Sequence, residues 1–148
     1  MEKSKPNNAR PANDNPALFV YGTLRLGFDN PFARRLRTEA SFLTSATLPG
    51  AYLVDAGGYP GLLRHDDPAQ VVTGDLFQLP PSPAPLLKAL DAYEGTSDDP
   101  RAPGEYVREQ ARVQPEDGPA VTAWIYRFNR VAPQLPVVPD GDYAAYVE

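Results

Sequence analysis

The stretch "ALFVYGTLRLG", from Ala17 to Gly27, decides how the chain is organised. Its first five residues are all apolar, which is typical of a buried β-strand. The run ends at Tyr21, and Gly22 and Thr23 follow where an ordinary polar turn would suffice for folding. Glycine lets a backbone approach a ligand closely, and successive amides in such a turn can form a concave anion site. The stretch predicts either a plain strand end or one wall of a binding site.

The regions around this strand differ in composition. Residues 1–16 have the composition of a disordered tail and lack the apolar segment of a secretory signal. Residues 17–148 are expected to form a single domain, since a chain of 148 residues fits one domain. Apolar residues make up 42% and charged residues 22%, as in globular proteins, and the 18 prolines favour short elements and many loops.

Charge and residue usage exclude several classes of function. The net charge of −5 disfavours nucleic-acid binding, and we interpret the one basic run, Ala33 to Thr38, as a solvated helix face. The absence of cysteine rules out disulfides, thiol chemistry and thiolate metal sites. No apolar run approaches the ~20 residues that span a membrane. These features predict a cytoplasmic protein; the sequence does not indicate its oligomeric state.

Two helices are predicted from capping signals and apolar spacing. Asn30-Pro31 is typical of an N-cap followed by a first helical residue, and apolar residues then recur every four positions as far as Ala40. The stronger helix lies in "SPAPLLKALDAYEG", where Ser82 is the expected N-cap and Gly95 the expected C-terminal cap.

Strands outnumber helices in the remaining pattern. Gly74 indicates a bulge or a close approach of another segment. The turn "PEDG" joins the last two predicted strands into a hairpin. These elements predict an α+β domain with a curved sheet or small barrel and one main helix packed on it. The predicted strands are Ala17–Tyr21, Ala51–Asp55, Gln70–Leu79, Tyr106–Gln114 and Ala120–Phe128.

Most common catalytic arrangements do not fit this sequence. A Ser-His-Asp triad needs a histidine base and a zinc site needs several ligands, whereas His65 is the sole histidine and lies in a polar loop. The aspartate pairs beside proline lack the spacing of a calcium loop, and no phosphate-binding or dinucleotide motif is present. We therefore predict no metal and no cofactor, which leaves carboxylate, tyrosine and backbone-amide chemistry.

Glu94 is the carboxylate best suited to acid–base chemistry. It lies at the C-terminal end of the stronger helix, where the helix dipole and partial burial beside Tyr93 would raise its pKa. A glutamate with a raised pKa is a better general base near neutral pH. The helix pattern alone favours the alternative, an exposed glutamate at a frayed helix end.

Four motifs in order resemble the gamma-glutamylcyclotransferase-like superfamily, which includes gamma-glutamylcyclotransferases and gamma-glutamylamine cyclotransferases. They are "YGTLR" after the first strand, "GYPG" at Gly58 to Gly61, "LDAYEG" at the helix end and "YVREQARV" in a later strand. The resemblance extends from Ala17 to Tyr143. It implies a small mixed, mainly antiparallel β-barrel with flanking helices and a pocket at one end.

The resemblance also implies a reaction and a set of site residues. The α-amine of a γ-glutamyl amine, amide or peptide attacks its own γ-carbonyl, forming 5-oxoproline and releasing an amine. Glu94 would be the general base and then the acid, and the backbone of Tyr21, Gly22, Thr23 and Leu24 would hold a substrate oxygen. Pocket residues implied in addition are Tyr59, Tyr106 and Tyr126, with Arg25 and Arg108 either near the anionic substrate or paired with local acids.

The departures from the family concern the leaving group. The segment Thr96 to Gly104, between Glu94 and Tyr106, would cover the site or change the leaving-group preference, and Pro133 to Pro139 has no assigned role. The alternative to an enzyme is a non-catalytic small-ligand-binding or regulatory module of the same fold. Glu94 favours the enzyme, because binding alone does not require a base at that position.

Overall fold

Strands and helices follow one another in an α+β order along the chain. The computed structural model describes residues 16–96, 104–130 and 134–147. The predicted tail, apart from Pro16, lies outside these residues, as do 97–103 and 131–133. Within the described ranges the strands are β1 (Ala17–Val20), β2 (Ser41–Pro49), β3 (Ala51–Asp55), β4 (Pro60–Arg64), β5 (Val71–Gln78), β6 (Tyr106–Pro115) and β7 (Val121–Phe128). The helices are α1 (Pro31–Glu39), α2 (Ala84–Glu94) and α3 (Tyr143–Tyr146), and a short 3₁₀ turn spans Pro139–Gly141.

Five strands close into a barrel in the order β1-β5-β2-β6-β7. The closing pair, β1 with β7, is parallel, whereas the other neighbouring strands pair antiparallel. Strands β3 and β4 form a separate antiparallel hairpin. The prediction of a small mixed, mainly antiparallel barrel with flanking helices is confirmed.

The continuous apolar run of β1 is explained by burial on both of its faces. Leu18 belongs to a core cluster that includes Leu36 of α1 and Leu90 of α2, so this cluster lies between the barrel and the helices. Phe19 belongs to a second cluster with Leu76 and Ile125 of neighbouring barrel strands. Burial of each such apolar side chain stabilises the folded state by roughly 1.5–3 kcal/mol.

Of the three predicted helix caps, two agree with the structure. The Asn30 side chain accepts a hydrogen bond from the Ala33 amide, and Gly95 adopts the left-handed conformation with φ 81°. The prediction of Ser82 as N-cap is wrong: Pro83 occupies that position with φ −81° and makes no side-chain cap, so α2 begins at Ala84. In the described part of the chain, no helix is long and apolar enough to cross a membrane.

Strand β4 was not predicted, because "AGGYPGLL" is rich in turn-forming residues. Its Pro60 pairs with Asp55 at the start of the hairpin. Gly61 is required because a Cβ there would lie 2.6 Å from the ring of Phe128. Turn-forming residues therefore serve here to pack a hairpin closely against β7.

Candidate active site

A cavity of about 270 Å³ opens at the end of the barrel where β1 and β7 finish and β6 begins. The predicted site residues Tyr21 to Leu24, Tyr59, Glu94, Tyr106 and Tyr126 all line it; Arg25 is not among the lining residues. The remaining lining residues are Phe19, Val20, Pro60, Tyr93 and Glu105. The fold thus brings together segments that are far apart in sequence.

The turn after β1 is fixed by close packing and by α1. A Cβ on Gly22 would lie 2.8 Å from Cγ of Pro60, so only glycine fits without displacing the hairpin. The Asn30 side chain donates to the Thr23 carbonyl at 2.9 Å while it caps α1. In the described residues, no backbone carbonyl accepts a hydrogen bond from the amides of Gly22 or Thr23. These donors can therefore serve a ligand in the cavity.

Three buried tyrosines form the inner wall, and their hydroxyl protons are committed to the protein. Tyr21 donates to the Tyr126 carbonyl at 2.6 Å, and Tyr106 donates to the Pro60 carbonyl at 2.6 Å. Tyr126 donates to the Asp91 carboxylate at 2.7 Å. Burial raises the pKa of all three phenols above the usual value, so they remain neutral. They shape the cavity as rigid aromatic walls.

The two arginines of the predicted motifs pair with local acids. Arg25 donates to Asp142 at 3.2 Å and to the buried Asp75 at 3.4 Å. Arg108 holds Asp91 through two hydrogen bonds of 2.7 and 3.2 Å. The sequence left two roles open for these arginines, and in the structure both pair with local acids. Neither arginine lines the cavity.

Thr23 uses its side chain structurally. Its hydroxyl lies 3.2 Å from the hydroxyl of Tyr93, whose ring stacks on Phe32 with centroids 4.4 Å apart. These contacts connect the turn to both α1 and α2. The Thr23 hydroxyl is therefore engaged within the protein, whereas the Gly22 and Thr23 amides have no backbone acceptor in the described residues.

Glu94 is a carboxylate that lines the cavity. Gly95 ends α2 directly after it, so the side chain stands on the last residue of a rigid helix. Burial, and then the nearby charge of Glu105, raise the pKa of the Glu94 carboxyl to about 7. A carboxyl group with this pKa can both accept and donate a proton near neutral pH.

Glu105 is a cavity residue that the sequence analysis does not single out. It precedes Tyr106 directly but lies eleven positions beyond Glu94, across an irregular segment whose path the sequence does not reveal. The Glu105 amide donates to the Gly95 carbonyl at 2.9 Å, which brings the two glutamates to the same cavity. Its position beside the matched tyrosine of "YVREQARV" was the one available signal.

Comparison with known proteins identifies the family. Residues 18–145 match the family described as "Gamma-glutamyl cyclotransferase, AIG2-like". The chain belongs to this family. It is a gamma-glutamyl cyclotransferase-like enzyme.

Several relatives of this cyclotransferase-like enzyme have known sequences or structures. It is 34% identical over 116 residues to a gamma-L-glutamyl-butirosin B gamma-glutamyl cyclotransferase of Niallia circulans, covering 78% of this chain and 68% of that protein. An AIG2-like protein of Mus musculus shares its fold with a TM-score of 0.67 at 26% identity, covering 87% and 88% of the two chains. Protein ytfP of Escherichia coli matches with a TM-score of 0.61 at 26% identity, covering 89% and 99%.

The raised pKa of Glu94 predicts how the cyclotransferase-like domain responds to pH. A carboxyl with a pKa of about 7 in the native state and 4.5 unfolded destabilises the fold as pH rises from 4.5 to 7. Glu94→Gln should therefore match wild type near pH 4.5 and be more stable by about 1–3 kcal/mol at pH 8, after allowance for solvent screening. Urea unfolding at the two pH values measures this difference.

The matched control is Glu116→Gln, which removes an exposed glutamate remote from the cavity. Its stability relative to wild type should change little between the two pH values, because this side chain is exposed and lies outside the cavity. If the stability of Glu94→Gln relative to wild type also changed little between the two pH values, the inference that the Glu94 carboxylate is desolvated would be refuted.

Proposed function

We propose that the chain converts a γ-glutamyl amine, amide or peptide to 5-oxoproline and releases the amine, with Glu94 as general base and acid. One observation carries the proposal: Glu94, whose pKa is raised to about 7, and the turn from Tyr21 to Leu24 line one small cavity. The family supports γ-glutamyl chemistry in general. The role of Glu94 and the choice among amines, amides and peptides are our inference.

The reaction suits a site without a protein nucleophile, because the substrate supplies its own. The α-amine and the γ-carbonyl belong to the same γ-glutamyl group, so the protein mainly has to hold them in a reactive geometry. Orientation of this kind can lower the activation free energy by as much as ~7–11 kcal/mol. The cavity of about 270 Å³ is small enough to restrain such a group.

Glu94 would move one proton between two nitrogens. Its carboxylate removes a proton from the α-amine as the nitrogen attacks the γ-carbonyl carbon and the C–N ring bond forms. The carboxyl then donates that proton to the leaving nitrogen as the original amide bond breaks. The proton is returned within one turnover, and help of this kind accelerates a reaction by about 10²–10⁴-fold.

The turn after β1 would stabilise the carbonyl oxygen while it carries negative charge. Gly22 and Thr23 line the cavity, and their amides have no backbone acceptor in the described residues. Fixed donors of this kind stabilise a developing oxyanion without reorganising during the reaction. The close packing of Gly22 on Pro60 keeps these donors in place.

The proposal is tested by measuring 5-oxoproline formed from a panel of γ-glutamyl amines, amides and peptides. Wild type should release 5-oxoproline and the amine in equal amounts from at least one of them, without added metal or cofactor. Binding of γ-glutamyl compounds with no 5-oxoproline from any of them would instead establish a non-catalytic ligand-binding module.

A further inference from the structure

We propose that Glu105 selects the leaving amine, favouring amines that carry a second positive charge and rejecting those that carry a carboxylate. This inference rests on the proposed cyclotransferase function, because it concerns the part of the substrate that departs. It assigns to Glu105 a role in specificity and leaves the proton transfer to Glu94.

The cavity has a buried floor and an open mouth. Tyr21, Tyr106 and Tyr126 are only 6%, 4% and 3% exposed. Tyr59 and Tyr93 line the same cavity but are 38% and 42% exposed. In the described part of the chain these two exposed tyrosines mark where the cavity meets solvent, and we place the entrance for substrate beside them.

The two glutamates face different parts of this cavity. After burial, the Glu94 charge contributes to the raised pKa of all three floor phenols, Tyr21, Tyr106 and Tyr126, whereas Glu105 contributes only to that of Tyr106, so Glu94 lies nearer the floor. Glu105 makes a hydrogen bond with the hydroxyl of Tyr59 at the mouth. The reacting γ-glutamyl group would occupy the floor beside Glu94, and its leaving amine would extend past Glu105.

The Glu105 side chain is held in place by neutral groups. The Tyr59 hydroxyl donates to its carboxylate, and its backbone is fixed by a 2.9 Å bond to Gly95 and a 2.7 Å bond from Asn129. The neighbouring cation, Arg130, donates to the carbonyls of Gly104 and Asn129 at 2.9 and 3.1 Å. Glu105 thus presents a preorganised negative charge at the mouth.

A fixed carboxylate at this position discriminates by charge. A cationic group on the leaving amine is attracted to Glu105 and can also lie against the exposed aromatic faces of Tyr59 and Tyr93. A carboxylate on the leaving group, as in a γ-glutamyl α-amino acid, is repelled by the same charge. An uncharged alkylamine gains neither interaction and should be intermediate.

The experiment uses three substrates of equal length that differ only at the far end of the leaving amine. The leaving amines are 1,4-diaminobutane, pentylamine and 4-aminobutanoate, each joined to the γ-carboxyl of glutamate. Wild type should rank them cation, neutral, anion in kcat/KM, with about 3- to 30-fold between successive members. Glu105→Gln should flatten this ranking, because the amide still accepts the Tyr59 hydrogen bond but carries no charge.

Two further variants separate specificity from folding. Glu116→Gln removes one negative charge from an exposed turn and should keep the wild-type ranking. Tyr59→Phe releases the Glu105 side chain without changing its charge and should weaken the ranking partially. It provides the test even if Glu105→Gln does not fold.

The outcomes distinguish this inference from the function on which it rests. A wild type that turns over the substrates without preferring the cationic one would overturn the role of Glu105 and leave the cyclotransferase function intact. If the ranking persisted unchanged in both Glu105→Gln and Tyr59→Phe, the role of Glu105 would likewise be overturned and the cyclotransferase function would stand. If wild type formed no 5-oxoproline from any of the three, the proposed function itself would fail, and the inference with it.

Discussion

Replacing Glu94 by glutamine is expected to lower kcat for 5-oxoproline release by about 10²–10⁴-fold. Glutamine has nearly the same shape as glutamate but cannot accept the proton of the α-amine. Because the interaction is lost in the transition state, kcat and kcat/KM should fall together with little change in KM. Steady-state kinetics on a γ-glutamyl compound that wild type cyclises measures both constants.

The pH dependence gives a second signature of Glu94. The base works as the carboxylate, so kcat/KM of wild type should rise through pH about 7, the raised pKa of this carboxyl. The groups near it are the neutral phenols Tyr21, Tyr106 and Tyr126 and the carboxylate of Glu105. The phenols titrate well above this range, and an inflection near pH 7 that comes from Glu94 should be absent in Glu94→Gln, whereas one from the substrate's α-amine should remain.

Glu39→Gln is the matched control for this substitution. Glu39 ends α1 as Glu94 ends α2, but it is exposed and pairs with Arg35 on the same helix. Losing such a surface pair costs at most ~1 kcal/mol, and activity should not change. Turnover by Glu94→Gln equal to that of wild type would remove Glu94 from the mechanism.

The sequence was most informative where a local rule acts within a few residues. The burial of β1 followed from its apolar run, and the end of α2 followed from Gly95, whose φ of 81° favours glycine. The ordered motifs then indicated which segments share a cavity. Because each motif is anchored to a strand or helix end, the family's barrel brings those ends together.

The sequence was least informative where the deciding contact is distant along the chain. The sequence of strand β4 is typical of a turn because it contains Pro60 and Gly61. These residues fit their positions through contacts with Gly22 and Phe128, which are remote in sequence. The sequence pattern places Glu105 at the end of a loop, and its backbone contact with Gly95 brings it to the cavity. Arg25 illustrates the same limit, since its buried partner Asp75 lies on β5.

Gly74→Ala is expected to destabilise the domain by about 4 kcal/mol, among the largest effects of a single substitution. A Cβ at this position would lie 2.3 Å from the Val20 carbonyl oxygen and 2.7 Å from the ring of Phe19. Both contacts are with β1, which pairs antiparallel with β5 inside the closed barrel, so neither strand can move away freely. Urea unfolding measures the loss.

The same substitution should also reach the candidate site, because Val20 directly precedes the turn that begins at Tyr21. Any fraction that folds should have a displaced turn and a lower kcat/KM for 5-oxoproline release. Gly118→Ala is the control: no atom lies within 4 Å of its Cβ, so only the strain of its φ of 98° remains, roughly 1–2 kcal/mol. Gly74 does not have a positive φ, so equal losses for the two variants would mean that the collision with β1 is relieved at little cost. A larger loss at Gly74 would establish that its close packing on β1 requires glycine.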